Sequence, residues 1–247
     1  GANIGGGSPL LPNTQAQARA LEAALADVGE VRAFPVMRYW HPMAPDVVPE
    51  MRSWGPDRLV LLPLYPQYSA TTTATANDKA FDALAKMRWQ PALRFVPPYH
   101  DEPTFLAALA DDLTRQVRAL TFKPEVMLLS FHGMPQQTLE KGDPYYCHCS
   151  KTARLLREEL ATRPEFEGVR FETTFQSRFG PAAWLEPSTD ATLMAEGDKV
   201  NSWMMGANRD DKPPRVLIYF GGANVYYDAL DQSAAEGFPE LEFKKLP

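Results

Sequence analysis

Residues 126–135 read VMLLSFHGMP, and this stretch decides the predicted fold. The run Val126–Leu129 is apolar without alternation, which is typical of a strand covered on both faces of a parallel sheet. His132 follows at the carboxyl end of that strand, where open α/β sheets bind their ligands. An imidazole there can bind a metal or accept a proton near neutral pH. The alternative is a surface or core histidine with no chemistry.

Other apolar runs repeat the pattern and predict the architecture. Strands are predicted at 59–62, 171–175 and 216–219, and helices from a capping-box pair at Thr14 and Gln17, from Thr104, and after Ser150. Strands that alternate with helices predict an α/β fold with parallel sheets and helices on both faces. The break near residues 120–124 predicts two α/β domains, residues 1–121 and 122–247.

The composition excludes several classes of protein. The chain has 247 residues, 45% of them hydrophobic, so it can bury a substantial core. Its net charge of −6 argues against a nucleic-acid partner. No apolar run approaches the roughly 20 residues that a membrane helix needs, and no signal peptide is visible. We therefore expect a cytoplasmic protein.

The segment KGDPYYCHC, residues 141–149, brings together both cysteines of the chain, Cys147 and Cys149, and His148. Two thiols and an imidazole could bind zinc or an iron–sulfur cluster. A cluster usually requires four cysteines, so we expect none and interpret the segment as a structural loop. Cysteines at i and i+2 are also poorly placed to form a disulfide with each other.

Three further segments carry polar and aromatic residues that could bind a ligand. The run YPQYSATTT, residues 65–73, follows a predicted strand, but it could instead cap the next helix. Arg178 and Trp184 follow another strand and could contact a flat, anionic ligand, or be a surface arginine and a packed indole. The run GGGSP, residues 5–9, could line a site that backbone approaches closely, or be a linker.

Taken together, five segments resemble the motifs of the ferrochelatase family, in the same order between residues 4 and 192. They lie at residues 5–10, 37–42, 61–73, 130–144 and 175–190, and the long signature around His132 is the most specific. The resemblance implies two Rossmann-like, chelatase-type domains with a cleft between them. It also implies a lyase of haem biosynthesis that inserts Fe²⁺ into protoporphyrin IX or coproporphyrin III.

The same resemblance implies the site residues. His132 is expected to be catalytic and to bind the metal, together with Asp228, which falls where the family carries a glutamate. An aspartate is one methylene shorter, so its oxygens reach roughly 1.5 Å less far; the alternative for Asp228 is a helix N-terminal residue favoured by the dipole. The expected porphyrin contacts are Ser8, Arg38, Tyr39, Tyr65, Ser69, Thr71, Met134, Ser177 and Trp184.

The expected partners are porphyrin and ferrous iron, with no cofactor beyond that substrate iron. A monomer or homodimer is expected, with possible peripheral membrane contact because the porphyrin is apolar. Relatives usually carry some tens of residues before the glycine-rich loop, so we expect the first domain to lack its first strand, and the segment 199–214 departs from the family. Two other functions stay open: a chelatase that loads cobalt into a tetrapyrrole precursor, and an inactive homologue that only binds porphyrin or haem.

Overall fold

The computed structural model describes residues 10–120, 122–178, 180–196 and 216–221. The chain divides into two compact units. The first unit consists of residues 1–64 and 70–97, and the second unit consists of residues 65–69 and 98–247. The described helices are α1 (Leu10–Ala24), α2 (Ala44–Trp54), α3 (Thr75–Leu84), α4 (Pro103–Ala119), α5 (Gln136–Glu140), α6 (Tyr145–Leu160) and α7 (Thr189–Ala195), with a π-helical turn at Ala70–Ala74 and a 3-10 turn at Pro164–Phe166. The described strands are β1 (Arg58–Leu61), β2 (Ala92–Phe95), β3 (Val126–His132), β4 (Arg170–Gln176) and β5 (Val216–Gly221).

The first unit is built on a parallel pair of strands, β1 and β2, with α3 between them in sequence. The sequence predicted β1 but missed β2, a four-residue strand whose Arg94 interrupts the apolar run. The expectation that β1 is covered on both faces is wrong. Val60 is 58% exposed, so β1 alternates between a half-buried and an exposed side, as a strand does when one face meets solvent.

The second unit is built around β3, which lies between β4 and β5 in a parallel sheet. Residues Val126–Phe131 are all buried, whereas His132 at the end of the strand is exposed. Met127, Leu129 and Phe131 pack in one cluster with residues of α4 and α6. On the opposite face, the Ser130 hydroxyl lies 2.7 Å from the Thr189 hydroxyl at the start of α7. The predicted fold class, α/β with parallel sheets, is therefore confirmed.

Two predicted helix starts are wrong, for local reasons. Thr14 lies inside α1 and its hydroxyl donates to the Leu10 carbonyl at 2.8 Å, so it caps nothing. Helix α6 begins at Tyr145 rather than after Ser150, because the Asp143 carboxylate accepts the Tyr145 N–H at 3.0 Å. The cysteine segment, interpreted as a loop, is therefore largely the first turns of α6.

Helix α4, which the sequence placed at the end of the first domain, packs against α6 in the second unit. The Glu102 carboxylate caps α4 by accepting the Phe105 N–H at 3.0 Å. The predicted domain boundary between residues 121 and 122 stays a prediction. The expected loss of a first strand concerns residues that lie outside the described ranges.

Candidate functional site

His132 lies at the carboxyl edge of the central strand of the second sheet, with an exposed side chain. Its Nδ1 is 2.7 Å from the carbonyl oxygen of Gly133. A carbonyl oxygen can only accept, so Nδ1 carries the proton of the neutral ring and Nε2 keeps the lone pair. That tautomer suits an imidazole that accepts a proton or binds a metal through Nε2.

The backbone on either side of this imidazole is fixed by buried groups. The Tyr145 hydroxyl donates to the His132 carbonyl at 3.0 Å, and the Gly133 N–H donates to the Gln176 carbonyl at 2.7 Å. Burial raises the pKa of Tyr145 far above its usual value, so the hydroxyl remains a neutral donor. A Cβ at Gly133 would lie 2.7 Å from the Gln176 oxygen, which makes glycine a steric requirement here.

Trp184 supports the loop that follows His132. An antiparallel bridge joins Pro135 to Trp184, and the Leu185 N–H donates to the Met134 carbonyl at 2.9 Å. The indole is only 7% exposed and lies beside Gly133, so most of its surface is committed to packing. Met134 is half-buried. Porphyrin contacts by Met134 and Trp184 stay predictions.

Ser177 lies at the same sheet edge as His132. It follows Gln176, which pairs in register with His132, and its φ of 67° is in the left-handed region. A non-glycine residue there costs on the order of 1 kcal/mol, and such strain is often found at functional sites. Arg178 is exposed and 3.7 Å from a Glu186 oxygen, an ion pair that contributes little to stability.

The run from Tyr65 to Ser69 belongs to the second unit and is tied to α6 and the turn before it. The Gln67 amide donates to the Thr152 hydroxyl at 3.0 Å, and the Ser69 hydroxyl donates to the Asp143 carboxylate at 2.9 Å. Ser69 is fully buried, which indicates that its hydroxyl positions the loop. Tyr65 is half-buried. Porphyrin contacts by Tyr65 and Ser69 stay predictions.

In the first unit, three residues predicted to bind porphyrin lie together. The Arg38 guanidinium lies 4.4 Å from the centre of the Tyr39 ring and donates from Nε to the Thr75 hydroxyl at 3.0 Å. The Tyr39 hydroxyl donates to the Thr71 carbonyl at 3.0 Å, while its ring is 64% exposed. Ser8 and Asp228 lie outside the described residues, and their roles stay predictions.

The two cysteines have different environments on α6. Cys147 is exposed, whereas Cys149 is fully buried in the core, and burial raises the pKa of its thiol. In the parts of the chain that the structure describes, no three side chains of His, Cys, Asp or Glu are grouped so as to hold a metal ion. Cys149 therefore acts as a small core residue.

These motifs and their placement agree with the comparisons to known proteins. A family model described as ferrochelatase matches residues 2–205. The chain belongs to the ferrochelatase family. Similar curated proteins include the ferrochelatases of Rhizobium meliloti (strain 1021), 51% identical over 180 residues, and Agrobacterium fabrum (strain C58), 49% identical over 195 residues.

The matched regions cover 73% and 78% of this chain but 52% and 56% of those two relatives. The chain thus spans about half the length of the curated ferrochelatases it matches. The predicted family is confirmed, and two of its segments, residues 61–73 and 130–144, meet in the structure through the hydrogen bond between Ser69 and Asp143.

Sequence reasoning missed the residues that hold this site in place. Tyr145, His148 and Thr152 bind the His132 carbonyl or the loop at residues 67–68, across 13 to 85 positions of sequence. Their one available signal was the segment at residues 141–149, which contains Tyr145 and His148. That segment was interpreted as a structural loop that could also bind metal, because the partners of these side chains are visible only in the fold.

Proposed function

We propose that this family member inserts Fe²⁺ into a porphyrin, either protoporphyrin IX or coproporphyrin III, to form haem. One observation carries the proposal. The exposed imidazole of His132 ends the central strand, and its Nδ1 is bonded to the Gly133 carbonyl, so Nε2 keeps a lone pair. Membership of the ferrochelatase family supports the same reaction. The activity of the whole protein is the proposal, since the chain spans about half of its relatives' length.

The chemistry explains why a histidine is needed. A free porphyrin binds metal slowly because two pyrrole N–H protons must leave and the flat ring hides its lone pairs. Binding a buckled ring would favour the transition state over the planar substrate. His132 Nε2 would accept a pyrrole proton or hand over the metal. Asp228 is our candidate for a carboxylate in the same task, and no cofactor is proposed beyond the substrate iron.

Arg38 is the best-supported candidate for binding a propionate group of the porphyrin. Its guanidinium is half-buried and held by Thr75 and the Tyr39 ring. Within the described residues it forms no ion pair with a carboxylate, so its charge is available to an anionic group. The remaining ring and propionate contacts are assigned by the family resemblance to Ser8, Tyr39, Tyr65, Ser69, Thr71, Met134, Ser177 and Trp184.

We further propose a cytoplasmic monomer or homodimer with porphyrin and ferrous iron as its partners and with peripheral membrane contact. Among the helices of the described ranges, none has both the length and the apolar character to cross a bilayer. Sedimentation of the purified chain with and without lipid vesicles tests both the oligomeric state and the membrane contact.

A fluorescence assay of metal entry tests the reaction. The purified chain is mixed with protoporphyrin IX and, in turn, Zn²⁺, Co²⁺ or anaerobic Fe²⁺, because a site with one imidazole and one carboxylate tolerates all three metals. We expect enzyme-dependent insertion of iron and zinc. Tight porphyrin binding without insertion would identify a binding homologue. Selective cobalt loading of a tetrapyrrole precursor would identify a cobalt chelatase.

A further inference from the structure

Two histidines that have no role in the proposed reaction are stacked in the second unit. The rings of His100 and His148 are parallel to within 7°, with centroids 3.7 Å apart. His100 precedes α4 and is 8% exposed, while His148 lies in the second turn of α6 and is half-buried. The Thr152 hydroxyl, one turn after His148, donates to the His100 carbonyl at 2.7 Å. The pair is therefore held on both sides by the fold.

His148 is also a hydrogen-bond acceptor for the loop Tyr65–Ser69. The backbone N–H of Tyr68 donates to His148 Nδ1 at 3.1 Å. Nδ1 must therefore be unprotonated, and the neutral ring carries its proton on Nε2. A protonated His148 would place a second N–H opposite that of Tyr68, so the bond would be lost.

The other anchors of this loop have donors that do not titrate near neutral pH. Gln67 and Ser69 flank Tyr68, and their side chains donate to Thr152 and to Asp143. Neither a side-chain amide nor a hydroxyl loses or gains a proton in that range. Among these three hydrogen bonds, the one at Tyr68 is the bond that depends on a proton between about pH 5 and 7.

We propose that neutral His148 is a positioning residue for the loop Tyr65–Ser69, and that its protonation releases Tyr68 and weakens porphyrin binding. This inference rests on the proposed function, which assigns Tyr65 on this loop to the porphyrin. Tyr65 is three residues from the released amide, so a shift of the Tyr68 backbone is transmitted to it directly along the chain.

Burial keeps the pair neutral at neutral pH, and the charges around it act in both directions. Burial lowers the pKa of His148, Lys151 lowers it further, and Asp101 and Asp143 act in the opposite direction. Burial likewise lowers the pKa of His100, helped by His148 and Lys151 and opposed by Asp101. Asp101 and Lys151 also form an ion pair, so each reduces the effect of the other on the rings.

Two substitutions separate the hydrogen bond from the titration. In His148→Asn the amide oxygen takes the position of Nδ1 and accepts from Tyr68 at every pH, whereas His148→Leu removes the acceptor. The KM for protoporphyrin and the kcat of zinc insertion are measured against pH. For the parent we expect KM to rise as pH falls below the ordinary histidine value of 6.5, with a pH profile distinct from that of kcat. For His148→Asn we expect a flat KM, and for His148→Leu a KM raised about threefold to tenfold at every pH.

A second readout does not depend on metal insertion. Hydrogen exchange and the chemical shift of the Tyr68 amide are followed by NMR against pH, without porphyrin. After correction for the intrinsic pH dependence of exchange, we expect the Tyr68 amide of the parent to exchange faster at acid pH than at neutral pH. We expect no such change in His148→Asn. If the chain inserts no metal but shows this Tyr68 response, the proposed function is wrong and the positioning of Tyr68 by His148 is still supported. An unchanged Tyr68 amide in the parent, or the same acid-side rise of KM in His148→Asn as in the parent, would overturn the inference.

Discussion

A single backbone carbonyl decides the chemistry available at His132. Because the Gly133 oxygen accepts from Nδ1, the neutral imidazole has its lone pair on Nε2, the nitrogen farther from the main chain. The geometry in turn depends on Gly133, which a larger residue could not replace without moving the Gln176 carbonyl. The histidine could be predicted from its place after an apolar strand, but its tautomer could not, because that depends on the turn that follows.

Tyr145 should matter more to turnover than to stability. Tyr145→Phe removes the hydroxyl that donates to the His132 carbonyl and keeps the packed ring. We expect a stability loss of about 1 kcal/mol and a clear fall in kcat, because the peptide that carries the imidazole is no longer held. Zinc insertion and urea unfolding measure the two effects.

Tyr146→Phe is the matched control, since the neighbouring ring stacks on Phe175 and its hydroxyl has no partner among the described residues. Equal kcat in the two variants would contradict the role of Tyr145.

Asp228 can be tested through the length of its side chain. If it replaces the glutamate of the family, Asp228→Glu restores the missing methylene and should maintain or raise the rate of zinc insertion. Asp228→Asn, which removes the charge, should lower it. A large loss in Asp228→Glu would show that the alignment of this part of the sequence is out of register.

At the scale of elements, sequence patterns predicted the strands that are buried. They missed the features that depend on single hydrogen bonds. β3 was predicted because its first four buried residues, Val126–Leu129, form an unbroken apolar run. β2 was missed because its residues are largely exposed, so its sequence carries little pattern. The start of α6 was misplaced because Asp143, outside any apolar periodicity, supplies the acceptor for its first N–H. Contacts such as that of His148 with Tyr68 join segments 80 residues apart and have no local signature.

The different burial of β3 and β1 predicts that shortening a side chain lowers the free energy of unfolding more in β3 than in β1. Leu128 in β3 is fully buried, whereas Val60 in β1 is 58% exposed. We expect Leu128→Ala to lower the free energy of unfolding by about 2–5 kcal/mol, because it leaves a cavity in the central strand. Val60→Ala should change it by less than about 0.5 kcal/mol. Urea unfolding followed by circular dichroism compares the two, and similar losses would contradict the burial described for these strands.

At the scale of the whole molecule, the stacked histidines His100 and His148 couple stability to pH. Their pKa values are lowered by burial, so below 6.5 the unfolded chain binds protons that the folded chain does not. Stability should therefore fall as pH decreases through 6.5, and the loss should be complete once the lowered folded-state values are passed. The carboxyls with lowered pKa values, such as Asp101, contribute their own loss only below their ordinary value of 3.8.

Urea midpoints between about pH 8 and about pH 5 test this coupling, because that range covers histidine and avoids most carboxyls. We expect a falling midpoint for the parent and a smaller fall for His148→Asn, which removes one of the two imidazoles of the stacked pair. A midpoint that does not vary with pH in the parent would contradict the burial of the pair.

The account depends most on His132, and one measurement tests it directly: the rate at which zinc enters protoporphyrin IX with His132→Ala. The side chain is exposed, so we expect the variant to keep the far-ultraviolet circular dichroism and urea midpoint of the parent. We also expect it to lose zinc insertion, while His41→Ala in the first unit retains it. Insertion by His132→Ala at the parent's rate would show that this imidazole neither takes the pyrrole proton nor delivers the metal.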